Sequence, residues 1–167
     1  SEEGRKNSYK NIIFAKSNAG YKQLIKIYTH AAQDGFYYEP RTDNAKFKEF
    51  YTDDLMLATP FYDSFLHVNK YTDSSCVPDF SFCDPVFFVE DNDVLVDQDL
   101  ESLVRKFCEG KFDVIKTKSI FYKNKMDFAA YLTHRCISKR TSLEKPNFDG
   151  MCSHEFCFES YKEAVNG

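Results

Sequence analysis

The chain has 167 residues, 43% of them apolar and 17% aromatic, and its formal net charge is -4. That much apolar material can pack one substantial core, which excludes a disordered polypeptide, and no apolar run approaches the length of a membrane span. The acidic balance excludes a general affinity for phosphate backbone unless the basic residues gather on one face.

The opening residues, Ser1-Glu2-Glu3-Gly4-Arg5-Lys6, have no apolar stretch after their charges and so do not read as a secretory signal. Ile12, Ile13, Phe14 and Ala15 form a compact strand candidate. Asn18 then opens a helix with Tyr21, Leu24, Ile25 and Tyr28 at i, i+3, i+4 and i+7 on one face, and Gly35 is expected to end it as a left-handed cap. A second helix is predicted over 43–51, capped by Asp43 or Thr42, with Phe47 and Phe50 pointing inward. Residues 55–58 read as a strand. Residues 62–85, rich in Asp, Ser, Tyr and Pro, read as loop. Further strands are predicted over 85–90 and 113–117, and helices over 99–108, 127–137 and 161–165, with Gly110 stopping the first of these.

Strand followed by helix, repeated, is the pattern of parallel α/β structure in a single domain spanning 1–167. No glycine cluster of the Walker or Rossmann type interrupts it. The six cysteines, at 76, 83, 108, 136, 152 and 157, lack the spacing of a small secreted framework and are read as reduced thiols of a cytoplasmic protein.

Three stretches resemble a known family. Residues 12–26, Ile12-Ile13-Phe14-Ala15-Lys16-Ser17-Asn18-Ala19-Gly20-Tyr21 onward, are similar to a strand-to-helix segment "LLAKNxxGYxNLxKL". Gly35-Phe36-Tyr37-Tyr38-Glu39-Pro40-Arg41-Thr42-Asp43 is close to "GFYYKPRID". Val114 to Tyr122 follows the frame of "LVATNDVHY", and Cys136-Ile137, Thr141-Ser142-Leu143 and residues 155–160 follow the segments behind it. These are motifs of the PHP (polymerase and histidinol phosphatase) domain of bacterial-type DNA polymerase III alpha subunits. The resemblance implies part of a distorted (β/α) barrel with mainly parallel strands inside and helices outside. It also implies that the family's opening strand, with its HxH metal motif, would precede Ser1.

Active members of that family hydrolyse phosphoesters with metals held by His, Asp, Glu and Cys, which polarise the phosphoryl oxygen and supply hydroxide. By the resemblance, ligand positions fall here on Phe61, Ser119 and Phe121; serine is a poor ligand and phenylalanine is none. A phenylalanine in place of a ligand implies that the old site has become core. The family's "LELQDHG" segment falls near residues 88–93, where Glu90, Asp91 and Asp93 suit either a hard cation or an exposed acidic turn.

Other residues carry two readings each. Arg41 either grips a phosphate or belongs to a structural turn in which Phe36, Tyr37 and Tyr38 bury aromatic area. Cys136, Cys152, His154 and Cys157 offer soft zinc ligands, but the Cys-x-His-x-x-Cys spacing is unusual for zinc and incidental cysteines are the other account. Lys116, Lys118, Lys123 and Lys125, interleaved with Phe121 and Tyr122, resemble a nucleic-acid surface, against a solvated strand edge as the preferred reading.

The expectation is therefore a catalytically degenerate PHP-like domain, of or derived from a replicative DNA polymerase III alpha subunit. It would act structurally, with no cofactor and no catalytic residue of its own. Its expected partners are other polymerase domains or replication subunits such as a proofreading exonuclease, with DNA met through the polymerase and no membrane. Two alternatives stand beside it: a metal-dependent phosphoesterase or exonuclease with an altered ligand set, and a stand-alone phage or mobile-element protein that binds a host replication factor.

Overall fold

A computed structural model describes residues 8–36, 38–72, 74–139 and 153–166. In chain order the elements are β1 (Ile12–Ala15), α1 (Asn18–Gln33), α2 (Asn44–Phe50), β2 (Leu55–Thr59), α3 (Phe65–Tyr71), β3 (Val86–Val89), α4 (Asp97–Cys108) and β4 (Val114–Lys116). A 3-10 turn, Lys125–Asp127, leads into α5 (Phe128–Lys139), and α6 (Phe158–Asn166) comes last. The chain divides into two compact units, Ser1–Phe88 with Leu103–Ile115, and Val89–Ser102 with Lys116–Gly167.

The fold is α/β, as the alternation predicts, around an open sheet of order β1-β2-β3-β4. Strands β2 and β3 are parallel, with Ala58 opposite Val86. Between β3 and β4 the bonds from Phe87 N to Asp113 O and from Thr117 N to Val89 O advance together along both strands, as parallel pairing requires. Strand β1 departs from the pattern: it runs antiparallel to β2, Ile12 opposite Ala58. The reason is the connection. One helix would return the chain to its starting end, whereas α1 and α2 together carry it across twice. Among the described residues the sheet is mixed, mainly parallel, and does not close into a barrel.

Local chemistry sets the helix ends. Ser17 caps α1 by accepting from Gly20 N–H at 3.1 Å, and its own hydroxyl donates to Asp54 at 2.7 Å. Asp43 caps α2 through Lys46 N–H at 2.7 Å. Within 62–85, expected as loop, Ser64 caps α3 by accepting from His67 N–H at 3.2 Å. Burial of Phe65 and Leu66 repays this short helix, which periodicity over seven residues cannot announce.

In the first unit Ile27, Phe47, Leu55 and Leu57 form a buried cluster. Beside it Phe65, Phe80, Phe87, Phe107 and Phe112 meet with ring centroids 5.3–6.3 Å apart, half of the pairs edge to face and the others tilted or stacked. Phe65 and Phe87 are fully buried, and each such ring contributes roughly 1.5–3 kcal/mol; Phe80, Phe107 and Phe112 are half-buried around them. Helix α1 turns Gly20, Ile27 and Ala31 inward, not the expected face; Tyr21, Ile25 and Tyr28 are exposed. Positions 20, 24, 27 and 31 have the same helical spacing, and glycine and alanine there let the helix approach closely. A Cβ on Gly20 would lie 2.2 Å from Asp54 O.

In the second unit Val89, Leu100, Phe156 and Cys157 are buried. Residues 121–122 run beside 156–158 through Phe121 N to Phe156 O at 2.9 Å and Phe158 N to Tyr122 O at 3.0 Å, with Tyr122 and Cys157 bridged in parallel.

Candidate functional site

The segment with the most specific sequence pattern, 35–43, folds back over the end of α1. Arg41 N–H donates to Ala31 O at 3.3 Å, and a Cβ on Gly35 would meet Arg41 O at 1.8 Å. Glycine is required there by that approach and not by a left-handed backbone: the positive φ falls instead on Tyr38, at 61°. Phe36 and Tyr38 are exposed, contrary to the expectation that they bury aromatic area, because the tight return over α1 turns them outward. Pro40 is exposed too, and Tyr37 lies outside the described residues.

An open groove of about 540 Å³ lies along this turn, lined by His30, Asp34, Arg41, Asp43, Lys46 and Glu49 among others. Its polar groups answer one another. His30 Nδ1 is 2.9 Å from Asp34, and Lys46 Nζ is 2.6 Å from Glu49, whose hydrogen bond and charge raise the lysine's pKa. A groove that carries three carboxylates beside Arg41, at Asp34, Asp43 and Glu49, does not make an anion grip around it.

A second constellation lies within the other unit. Glu90, the residue after β3, is buried, and its carboxyl accepts three hydrogen bonds: from Ser119 N–H at 2.9 Å, Ser119 Oγ at 2.8 Å and Asn92 Nδ2 at 2.7 Å. Asp97, buried at the start of α4, accepts from Asn92 N–H at 2.8 Å and Val94 N–H at 3.3 Å. Asp91 and Asp93 stay exposed, Asp93 with a left-handed φ of 55° that aspartate tolerates. The segment is thus an acidic turn whose inward carboxyl, Glu90, already has a hydrogen-bond donor on each oxygen. Sequence reasoning weighed Glu90 and Ser119 separately and missed their pairing. The available signal was that both lie just past strands that proved to be neighbours.

Phe61, in the first unit, is completely buried and packs edge-on to Tyr62 at 4.9 Å. Phe121, in the second, is not core: it is 49% exposed, held between Tyr131, which it stacks at 5.8 Å, and Phe156 at 5.4 Å. A ring on the segment past β4 with a flat neighbour on one side needs no enclosure to be fixed.

Of the sulfur-rich set, Cys157 is buried, its Sγ 3.2 Å from Ser160 Oγ, while His154 is exposed and lies on the Phe128 ring at 4.1 Å. Cys136 is half-buried on α5, and Cys152 lies outside the described residues. Cys76, Cys83, Cys108, Cys136 and Cys157 are free thiols. Burial pushes the thiols of Cys83 and Cys108 up to about 11. Two of the four lysines in the series are matched by carboxylates: Lys118 binds Asp91 O at 2.8 Å and Glu155 at 3.3 Å, and Lys125 pairs with Glu163 at 2.7 Å. Burial alone would raise the Glu155 carboxyl, but hydrogen bonds from Lys118 and Ser160 and the two lysine charges outweigh it and hold the group low.

Among the described residues no group of three or more His, Cys, Asp or Glu side chains is placed to hold a metal ion. The donor set therefore does not fit a metal cluster there: Glu90 is committed to Ser119 and Asn92, and Phe61 and Phe121 have no lone pair to give. No helix of the described residues is long and apolar enough to cross a membrane. Compared with known proteins, residues 2–109 match the family model described as PHP domain. No curated protein matches the chain.

Proposed function

The chain belongs to the PHP domain family, and from that premise we propose that it is a catalytically degenerate PHP module of, or derived from, a replicative DNA polymerase III alpha subunit. Its role in this reading is to hold other polymerase domains or replication subunits, such as a proofreading exonuclease, in the cytoplasm. The observation that carries the reading is the Glu90 carboxyl: both of its oxygens accept hydrogen bonds from Ser119 and Asn92, one of which stands where the family resemblance aligns a ligand. The aromatic side chains at the aligned positions 61 and 121 support it further. Free thiols at five cysteines fit a reducing compartment.

Two measurements test the proposal. Purified chain, incubated with Mn²⁺ or Zn²⁺ and desalted, is expected to retain no stoichiometric metal and to leave p-nitrophenyl phosphate unhydrolysed. Bound metal with turnover that disappears in Glu90→Gln would favour the phosphoesterase reading instead. Co-purification with polymerase and exonuclease subunits then separates a replication scaffold from a free-standing binder of a host factor.

A further inference from the structure

Helix α1 contains Lys22, Lys26 and His30 and not one carboxylate in its 16 residues. On its outward side Tyr21 is 59%, Ile25 48% and Tyr28 66% exposed, so two aromatic rings and an aliphatic chain lie in water where a helix of this length ordinarily shows polar groups. Spaced i, i+4 and i+7, they form one row. Lys22 and Lys26 form a second row one step around the helix, and Lys16 lies just before the cap. These three lysines are exposed and make no ion pair among the described residues, as is also true of Lys116 and Lys123, which lack such a row of exposed rings on a helix beside them; Lys10, Lys46, Lys48, Lys118 and Lys125 are each matched by a carboxylate. Asp54, at this end of the helix, is half-buried and accepts from Ser17 at the cap.

We propose that this outer face of α1 binds single-stranded polynucleotide, with bases stacking on Tyr21 and Tyr28 and phosphates held by Lys22, Lys26 and Lys16. The two rows match the two sides of such a strand, aromatic faces on one and negative charge on the other. Seven residues of helix separate the tyrosines by about 10 Å along the axis, close to three stacked-base rises. Protein partners favour aromatic rings as well, but protein–protein contacts are depleted in lysine, and here lysine forms half of the pattern. A second copy of the chain presenting the same face would set lysine against lysine. The acidic net charge of the chain is no obstacle, because what a polyanion meets is the local surface. The inference does not depend on the loss of metal chemistry at the other unit.

The test is fluorescence anisotropy of the full chain with a labelled thymidine 20-mer, beside a ribouridine 20-mer and a 20-base-pair duplex. Binding is expected at low salt, tightest for the single strands, and about 20-fold weaker on raising salt from about 50 to 200 mM, as three phosphate contacts predict. Tyr21→Ala and Tyr28→Ala should each weaken it at least about fivefold. Lys22→Glu with Lys26→Glu should abolish it, and Lys116→Glu with Lys123→Glu should leave it unchanged. All are exposed positions, and circular dichroism checks that each variant folds. The two single strands distinguish DNA from RNA as the source. Absence of binding, equal affinity for duplex, or indifference to the tyrosine changes overturns the proposal. Displacement of the 20-mer by polyglutamate with no tyrosine dependence would assign the face to an acidic protein instead.

Discussion

Ser119 gives Glu90 both its backbone N–H and its hydroxyl, and Glu90 is buried. Ser119→Ala removes one donor and leaves a buried oxygen to its desolvation cost, so it is expected to lower unfolding free energy by about 1.5–3 kcal/mol. Urea denaturation measures this, and an unchanged midpoint would mean that water replaces the hydroxyl at no cost. Residue identity alone made part of this scale legible. Ser17, Asp43 and Ser64 cap helices by chemistry their side chains advertise, although only the middle one was singled out in advance. Gly35 was recognisable as necessary but for the wrong reason. Its constraint is a carbonyl brought in from six residues along the chain, and proximity of that kind is invisible to local propensity.

At the level of elements, the sequence of α1 supports two apolar faces of equal periodicity, and only packing chooses between them. The structure buries Ile27 and exposes Ile25. Ile27→Ala is accordingly expected to cost about 2–4 kcal/mol by opening a cavity, and Ile25→Ala to stay within about 0.5 kcal/mol. Reversed magnitudes in paired denaturation curves would put the helix in the wrong register. Strands β1 to β4 were all legible because short apolar runs bounded by polar residues leave few alternatives. The antiparallel entry of β1 was not, since nothing in a strand's own residues encodes how many helices precede its neighbour. Helix α3 was hidden by its length: seven residues hold two turns, and composition outvoted its cap.

For the molecule as a whole, pH acts on groups that burial has shifted. The thiols of Cys83 and Cys108, ordinarily near 9.0, are pushed up to about 11, chiefly by burial. The hydroxyls of Tyr9 and Tyr122, ordinarily near 10.0, are pushed up to about 12 for the same reason. The folded chain therefore holds these protons more tightly than the unfolded chain. Their contribution to stability is complete below about pH 9 and drains away as pH rises through 11 and 12. The urea midpoint should fall between about pH 8 and pH 10.5, and less steeply in Cys108→Ala. Equal slopes in the two proteins would show that Cys108 is not one of the responsible groups. Glu155 acts at the other end: its lowered carboxyl contributes above the ordinary carboxylate range, and that contribution is lost as acid protonates it.

The hydrogen bonds between Glu90 and Ser119 join residues 29 apart in the chain, just beyond β3 and β4, within one unit. They work as a clasp made of the protein's own atoms, fastening two strand ends where a cation would otherwise have to bridge them. A clasp of this kind owes nothing to the contents of the buffer. Prolonged dialysis against EDTA is therefore expected to leave the melting temperature unmoved, and a drop of more than about 2 °C that zinc or manganese restores would count against it.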